Sequence, residues 1–173
     1  RAEGYDWKNV VPGNTKKTLW STTYDIDELP QVLQPKSGYI YNTNHSPFIS
    51  TSIEENPNKD NFSKNMGFET FNNNRSTRLK YLIDQYPKLD FNDFKKIKYD
   101  NVLPTPLAYT WMDINALFDI QADKYPEIKN IIIDIQNWDR KADVNSVGAG
   151  AYAIFYFKLG KYYRKLPPPK IFP

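Results

Sequence analysis

The sequence predicts an α+β fold in which helix predominates, and three observations carry that prediction. Apolar residues recur at helical spacing through much of residues 73 to 165, two short β-type runs lie in the first 60 residues, and Pro, Gly and Asn punctuate the joins. At 173 residues the chain is the usual size of one domain and long enough to bury a core. Its organisation reads as a loop and strand region over 1–60, a helical region over 61–166 and an extended tail over 167–173.

Taken in order, the β-type runs are Thr18 to Tyr24 and Gly38 to Asn42, both set among turn residues. From residue 73 the spacing changes. Leu79, Leu82, Ile83 and Tyr86 fall at i, i+3, i+4 and i+7, one helix face, with Asn73 or Asn74 as the cap and Pro87 as the stop. A short helix follows Asp90, with Phe91, Phe94 and Ile97 expected to pack inward. Thr105-Pro106 predicts another helix start, carrying Leu107, Trp111, Ile114 and Phe118. Tyr125-Pro126 repeats that signal before Ile128, Ile131, Ile132 and Ile135, although the run Ile131-Ile132-Ile133 is also strand-like. Ala149 to Lys165 reads as a last helix, so evenly apolar between Ala151 and Phe157 that it expects cover on more than one face. The tail, with Pro167-Pro168-Pro169, favours an extended connection.

Composition removes several function classes. The 23 Lys and Arg against 20 Asp and Glu leave +3 without a basic cluster, so nucleic acid is not an expected partner. No apolar run approaches the roughly 20 residues of a membrane-spanning helix, so no membrane partner is expected either. With no Cys and one His, His45, thiol chemistry, Cys-based metal sites and a His-rich zinc site are out. The start, Arg1-Ala2-Glu3-Gly4, has no apolar leader, and Ser residues lack a G-x-S-x-G setting, so a self-contained triad is not expected. The carboxylate pairs Asp25/Asp27 and Glu54/Glu55 lie in loops and read as solvated surface.

One stretch stands apart. Pro35-Lys36-Ser37-Gly38-Tyr39-Ile40-Tyr41 runs into Asn42-Thr43-Asn44-His45-Ser46-Pro47-Phe48, a strand-like segment that ends in several neutral amides. Spacing alone leaves Asn44 as a turn residue or an Asn-His-Ser glycosylation acceptor. The segment resembles the β-subunit of penicillin acylases and acyl-homoserine-lactone acylases, which are N-terminal nucleophile hydrolases. The resemblance takes in Val11-Pro12-Gly13, Arg75 with its helix, Asp113-Ile114-Asn115, Trp138-Asp139 and the small residues that open the last helix, nearly the whole chain.

The resemblance implies an internal part of that β-subunit, within a four-layer αββα fold. The parent would hydrolyse a linear amide of an N-acylated small molecule, such as a β-lactam or an acyl-homoserine lactone, through an N-terminal Ser. Asn44 would be the oxyanion-hole donor and Arg75 its support. A carboxamide N–H suits the task because it is a neutral donor that gains strength as the carbonyl oxygen becomes negative. Arg75 and Arg78 oppose the helix dipole in a chain that otherwise favours Lys, so a need for the planar fork is expected; a surface pair to Asp84 or Glu69 is the other reading of Arg75. Asp60 would match a calcium-binding Asp of some relatives or serve as a helix cap for 61–66, while His45 belongs to the loop. No cofactor is required, calcium would be structural in the parent, and the location would be periplasmic or secreted. The nucleophile would precede residue 1, so the partners would be the α-subunit and the remaining N- and C-terminal parts of the β-subunit. This chain alone would be inactive and would expose apolar surface that favours oligomers. The competing class is a non-catalytic helical binding or scaffolding domain.

Overall fold

The computed structural model describes residues 4–7, 9–109 and 114–163. The chain divides into two compact units, Arg1–Ser76 and Thr77–Pro173. Among the described residues four α-helices form: α1 (Asn74–Asp84), α2 (Phe91–Lys98), α3 (Lys129–Gln136) and α4 (Ala149–Tyr163). Among the described residues no helix is long and apolar enough to cross a membrane.

The first unit is a succession of 3-10 turns: Lys16–Thr18, Ile26–Glu28, Pro47–Ile49, Ile53–Glu55, Lys59–Asn61 and Lys64–Met66. Short side-chain oxygens begin four of them. Thr15, Ser46, Asn58 and Ser63 each accept from a backbone N–H of the turn they open, which satisfies donors that a one-turn helix leaves orphaned. The two predicted β-type runs do not become strands; among the described residues the only β-pairing is an isolated antiparallel bridge, Val102 to Lys141. A strand needs a second backbone edge. Here the groups of residues 39–41 are taken locally instead: Tyr41 N–H donates to Ser50 C=O at 2.9 Å and the Thr51 hydroxyl donates to Tyr39 C=O at 2.8 Å. Asn56 extends the same local scheme. Its carboxamide accepts from the N–H of Ser50 and Thr51 (2.7 and 3.0 Å) and donates to the carbonyls of Thr51 and Ser52 (3.2 and 2.7 Å).

Helix α1 matches its expected face: Leu79, Leu82, Ile83 and Tyr86 are all half-buried, and Asn73 provides the cap by accepting from Ser76 N–H at 2.9 Å. Helix α2 is capped by Asp90, which accepts from Asp93 N–H at 2.8 Å. Of its three expected core residues only Ile97 is buried, whereas Phe91 is 73% and Phe94 52% exposed. An eight-residue helix turns too few residues toward one neighbour to bury both rings. Arg78 on α1 grips Asp100, just past α2, through Nε at 2.8 Å and Nη2 at 2.7 Å. That forked bond holds the Asp100 carboxyl below its usual range.

The core of the second unit gathers Leu107, Ile114, Leu117, Ile135, Trp138 and Tyr152. Among the described residues no helix opens at Thr105-Pro106, whose peptide bond is cis, and the next helical segment described is the 3-10 helix Ile114–Asp119. Asn115 explains the change. Its carboxamide accepts from Leu107 N–H at 2.7 Å and donates to Leu107 C=O at 3.0 Å, taking the carbonyl that a helix would have used. Trp111 lies outside the described residues. Tyr125-Pro126 does start helical structure, a 3-10 turn Pro126–Ile128 that leads into α3, where Ile132 and Ile135 are buried. The strand-like Ile131-Ile132-Ile133 is therefore helical, with Ile131 exposed.

Gly148 makes the junction of α3 and α4 possible. Its φ of +91° is left-handed, and a Cβ there would stand 2.3 Å from Asp134 C=O and 2.8 Å from Trp138 Cβ. Trp138 stacks on Tyr152 of α4 with ring centroids 4.7 Å apart and donates its indole N–H to Lys141 C=O at 2.8 Å. Arg140, itself at φ +63°, lays its guanidinium on the Phe118 ring at 3.5 Å. The outer side of α4 stays uncovered, with Ile154 65% and Phe157 56% exposed. Residues 164–173, including the predicted proline tail, lie outside the described residues.

Candidate functional site

Asn42-Thr43-Asn44-His45 forms a tight turn at the end of the Gly38–Tyr41 segment. Asn44 adopts the left-handed conformation, φ +59°, which Asn tolerates better than most residues. Three groups enforce it. Asn44 N–H donates to Asn42 Oδ1 at 2.6 Å, and Asn73 Nδ2 donates to both Thr43 C=O (3.1 Å) and Asn44 C=O (3.2 Å). The third is His45, whose ring accepts from Thr43 N–H. Because Asn73 also caps α1, one carboxamide fastens the turn to the start of the helix.

Arg75 sits in the first turn of α1 and donates from Nη2 to Asn44 Oδ1 at 3.1 Å. Asn44 and Arg75, separated by 31 positions, are thus brought together. Among the described residues Arg75 makes no ion pair with Asp84, which Lys80 binds at 2.5 Å, or with Glu69; its Nη2 faces the Asn44 amide. With its oxygen held by a cation the Asn44 carboxamide is polarised, and its Nδ2 protons become better donors. Among the described residues no acceptor is bonded to that nitrogen. Both side chains are exposed.

Beneath the turn, His45 and Ser46 are buried. The His45 ring stacks on Tyr41 with centroids 4.8 Å apart, its Nδ1 meets Thr43 N–H at 3.1 Å and the Thr43 hydroxyl at 3.0 Å, and its Nε2 lies 3.0 Å from Ile49 C=O. A backbone N–H can only donate and a carbonyl only accept, so the ring is neutral with its proton on Nε2. Burial lowers its pKa, the Ile49 bond works against that shift, and the Arg75 charge adds to it.

Residues 2–168 match the family model described as penicillin amidase. The chain belongs to the penicillin amidase family. Among solved structures, none matches it significantly. The parent activity of the family is amide hydrolysis, and the expected family membership is met.

Asp60 is a different case in this penicillin amidase chain. It does not cap residues 61–66: it lies inside the 3-10 turn Lys59–Asn61, whose cap is Asn58, and the following turn Lys64–Met66 is capped by Ser63. Its side chain borders a cleft of about 730 Å³ together with Asp6, Lys59, Lys64, Phe48 and Phe62. Among the described residues no group of three or more His, Cys, Asp or Glu side chains gathers around Asp60.

Asn73 and His45 escape a reading by sequence. Asn73 is foreseeable only as a helix cap, and its second job depends on a turn 29 residues away. The Asn72-Asn73-Asn74 run is its one local trace.

Proposed function

We propose that this chain supplies the oxyanion-binding part of a penicillin-amidase-type acylase that hydrolyses linear amides of N-acylated small molecules, a β-lactam with an acyl side chain or an acyl-homoserine lactone. One observation carries the proposal: the Arg75 guanidinium holds Asn44 Oδ1 at 3.1 Å, which fixes which end of the carboxamide is available. When a hydroxyl adds to the substrate carbonyl, charge builds on the carbonyl oxygen, and the Asn44 Nδ2–H receives it. Arg75 contributes by locking the amide's orientation, so no reorganisation is needed as the charge develops.

The chain would form part of a four-layer αββα fold, with the N-terminal Ser, its α-amine base and the second oxyanion donor supplied by the partner segments: the α-subunit and the other parts of the β-subunit. Those segments would also exclude water from Asn44, which a strong oxyanion site requires. The hydrolysis needs no cofactor, and the acylase would work in the periplasm or outside the cell.

Kinetics of the full-length acylase provide the test. Asn44→Ala should lower kcat about 10²- to 10³-fold with little change in KM, which corresponds to roughly 2.7–4 kcal/mol of transition-state stabilisation. Asn44→Asp, which keeps the shape but loses the donor, should be at least as damaging. Undiminished kcat in both would refute the assignment. The 173-residue chain alone should release no product from acyl amides.

A further inference from the structure

We propose that His45 is a positioning residue for the Asn44 carboxamide: the neutral ring holds the turn over residues 43–45, and a proton arriving on Nδ1 releases it. The inference rests on the reading of Asn44 as oxyanion donor and adds a pH-dependent control to it. Three observations carry it. First, Nδ1 is the acceptor for Thr43 N–H, one residue before Asn44, and lies beside the Thr43 hydroxyl. Second, the opposite edge of the ring is anchored on Ile49 C=O and its face on Tyr41, so the ring cannot swing to offer another acceptor. Third, the ring is buried while Asn44 beside it is exposed, so the turn is fixed from its inner side.

Protonation makes Nδ1 a donor facing another donor, and Thr43 N–H loses its partner in a buried place. The added charge also stands near the Arg75 guanidinium, the one charged group among the described residues that acts on the ring. Tyr41 and Thr43 present a ring face and a neutral hydroxyl, and Ile49 presents a carbonyl. The Thr43 hydroxyl can turn to accept from the protonated Nδ1, so the loss falls on Thr43 N–H, whose acceptor is gone. The turn that sets φ of Asn44 at +59° therefore opens below the pKa of His45, and the ring is kept neutral by its burial above it.

Two measurements on the full-length acylase test this. With ¹⁵N-asparagine labelling, the Asn44 Nδ2–H2 resonances, assigned by their loss in Asn44→Ala, should shift with the same midpoint as the His45 ring, and should not shift in His45→Gln. In kinetics, His45→Gln, which retains an acceptor and a donor, should keep kcat within about threefold and lose the acid limb that shares that midpoint. His45→Phe should lower kcat about ten- to a hundredfold with KM nearly unchanged. Carboxamide resonances that ignore the His45 titration, or an identical acid limb in His45→Gln, would overturn the inference, and the wild-type titration decides the matter even where His45→Phe does not fold. Normal kcat in Asn44→Ala would remove the oxyanion role while a carboxamide that follows His45 still upholds the positioning.

Discussion

Glu55 is held in the ionised form by local donors. Its carboxylate accepts from the N–H of Ser37 at 2.9 Å, from the Ser52 hydroxyl at 2.8 Å and from Lys36 N–H. Ser37 contributes most to bringing its pKa down from 4.5 to about 2. A depressed carboxyl stabilises the fold above its unfolded pKa and loses that contribution as pH falls toward the folded value. The clasp between residues 36–37 and 52–55 should therefore loosen between about pH 4.5 and 2, visible as amide shifts of Lys36 and Ser37, and Glu55→Gln should abolish that transition. Unchanged shifts across that range would contradict the role. The sequence presents Glu54/Glu55 as an ordinary acidic pair in a loop; the loop's return to Lys36 lies 19 positions away, beyond any local pattern.

At the scale of elements, caps and periodicity carry helices where the signal is local. Asp90, Asn73 and the apolar face of α1 behave as their spacing requires. Thr105-Pro106 fails because Asn115, eight positions beyond Leu107, takes that residue's backbone groups, a competition that no helix-start rule contains. The α3–α4 junction depends on one residue without a side chain. Gly148→Ala forces a Cβ against Asp134 C=O and into a left-handed backbone, and should destabilise the chain by at least about 2 kcal/mol in thermal or urea unfolding. A loss below about 0.5 kcal/mol would show that the junction rearranges cheaply.

At the scale of the whole molecule, apolar surface remains uncovered: Ile154 and Phe157 on α4, and Trp20 and Leu19 in the first unit, are all more than half exposed. Exposed large apolar side chains of this kind favour association. The 173-residue chain should show concentration-dependent self-association in sedimentation velocity, reduced by Ile154→Lys with Phe157→Lys; a monomer at all concentrations would place the α4 face outside any interface. Helical dominance, the caps of α1 and α2 and the family were legible in the sequence, because each depends on local spacing or on an ordered set of motifs. Whether β-type runs pair, which way Asn115 bonds, and that Asn44 meets Arg75, Asn73 and His45 were decided only in three dimensions. Each of those outcomes depends on a hydrogen-bonding partner brought in by the fold, and a backbone or amide group is indifferent to where in the chain that partner comes from.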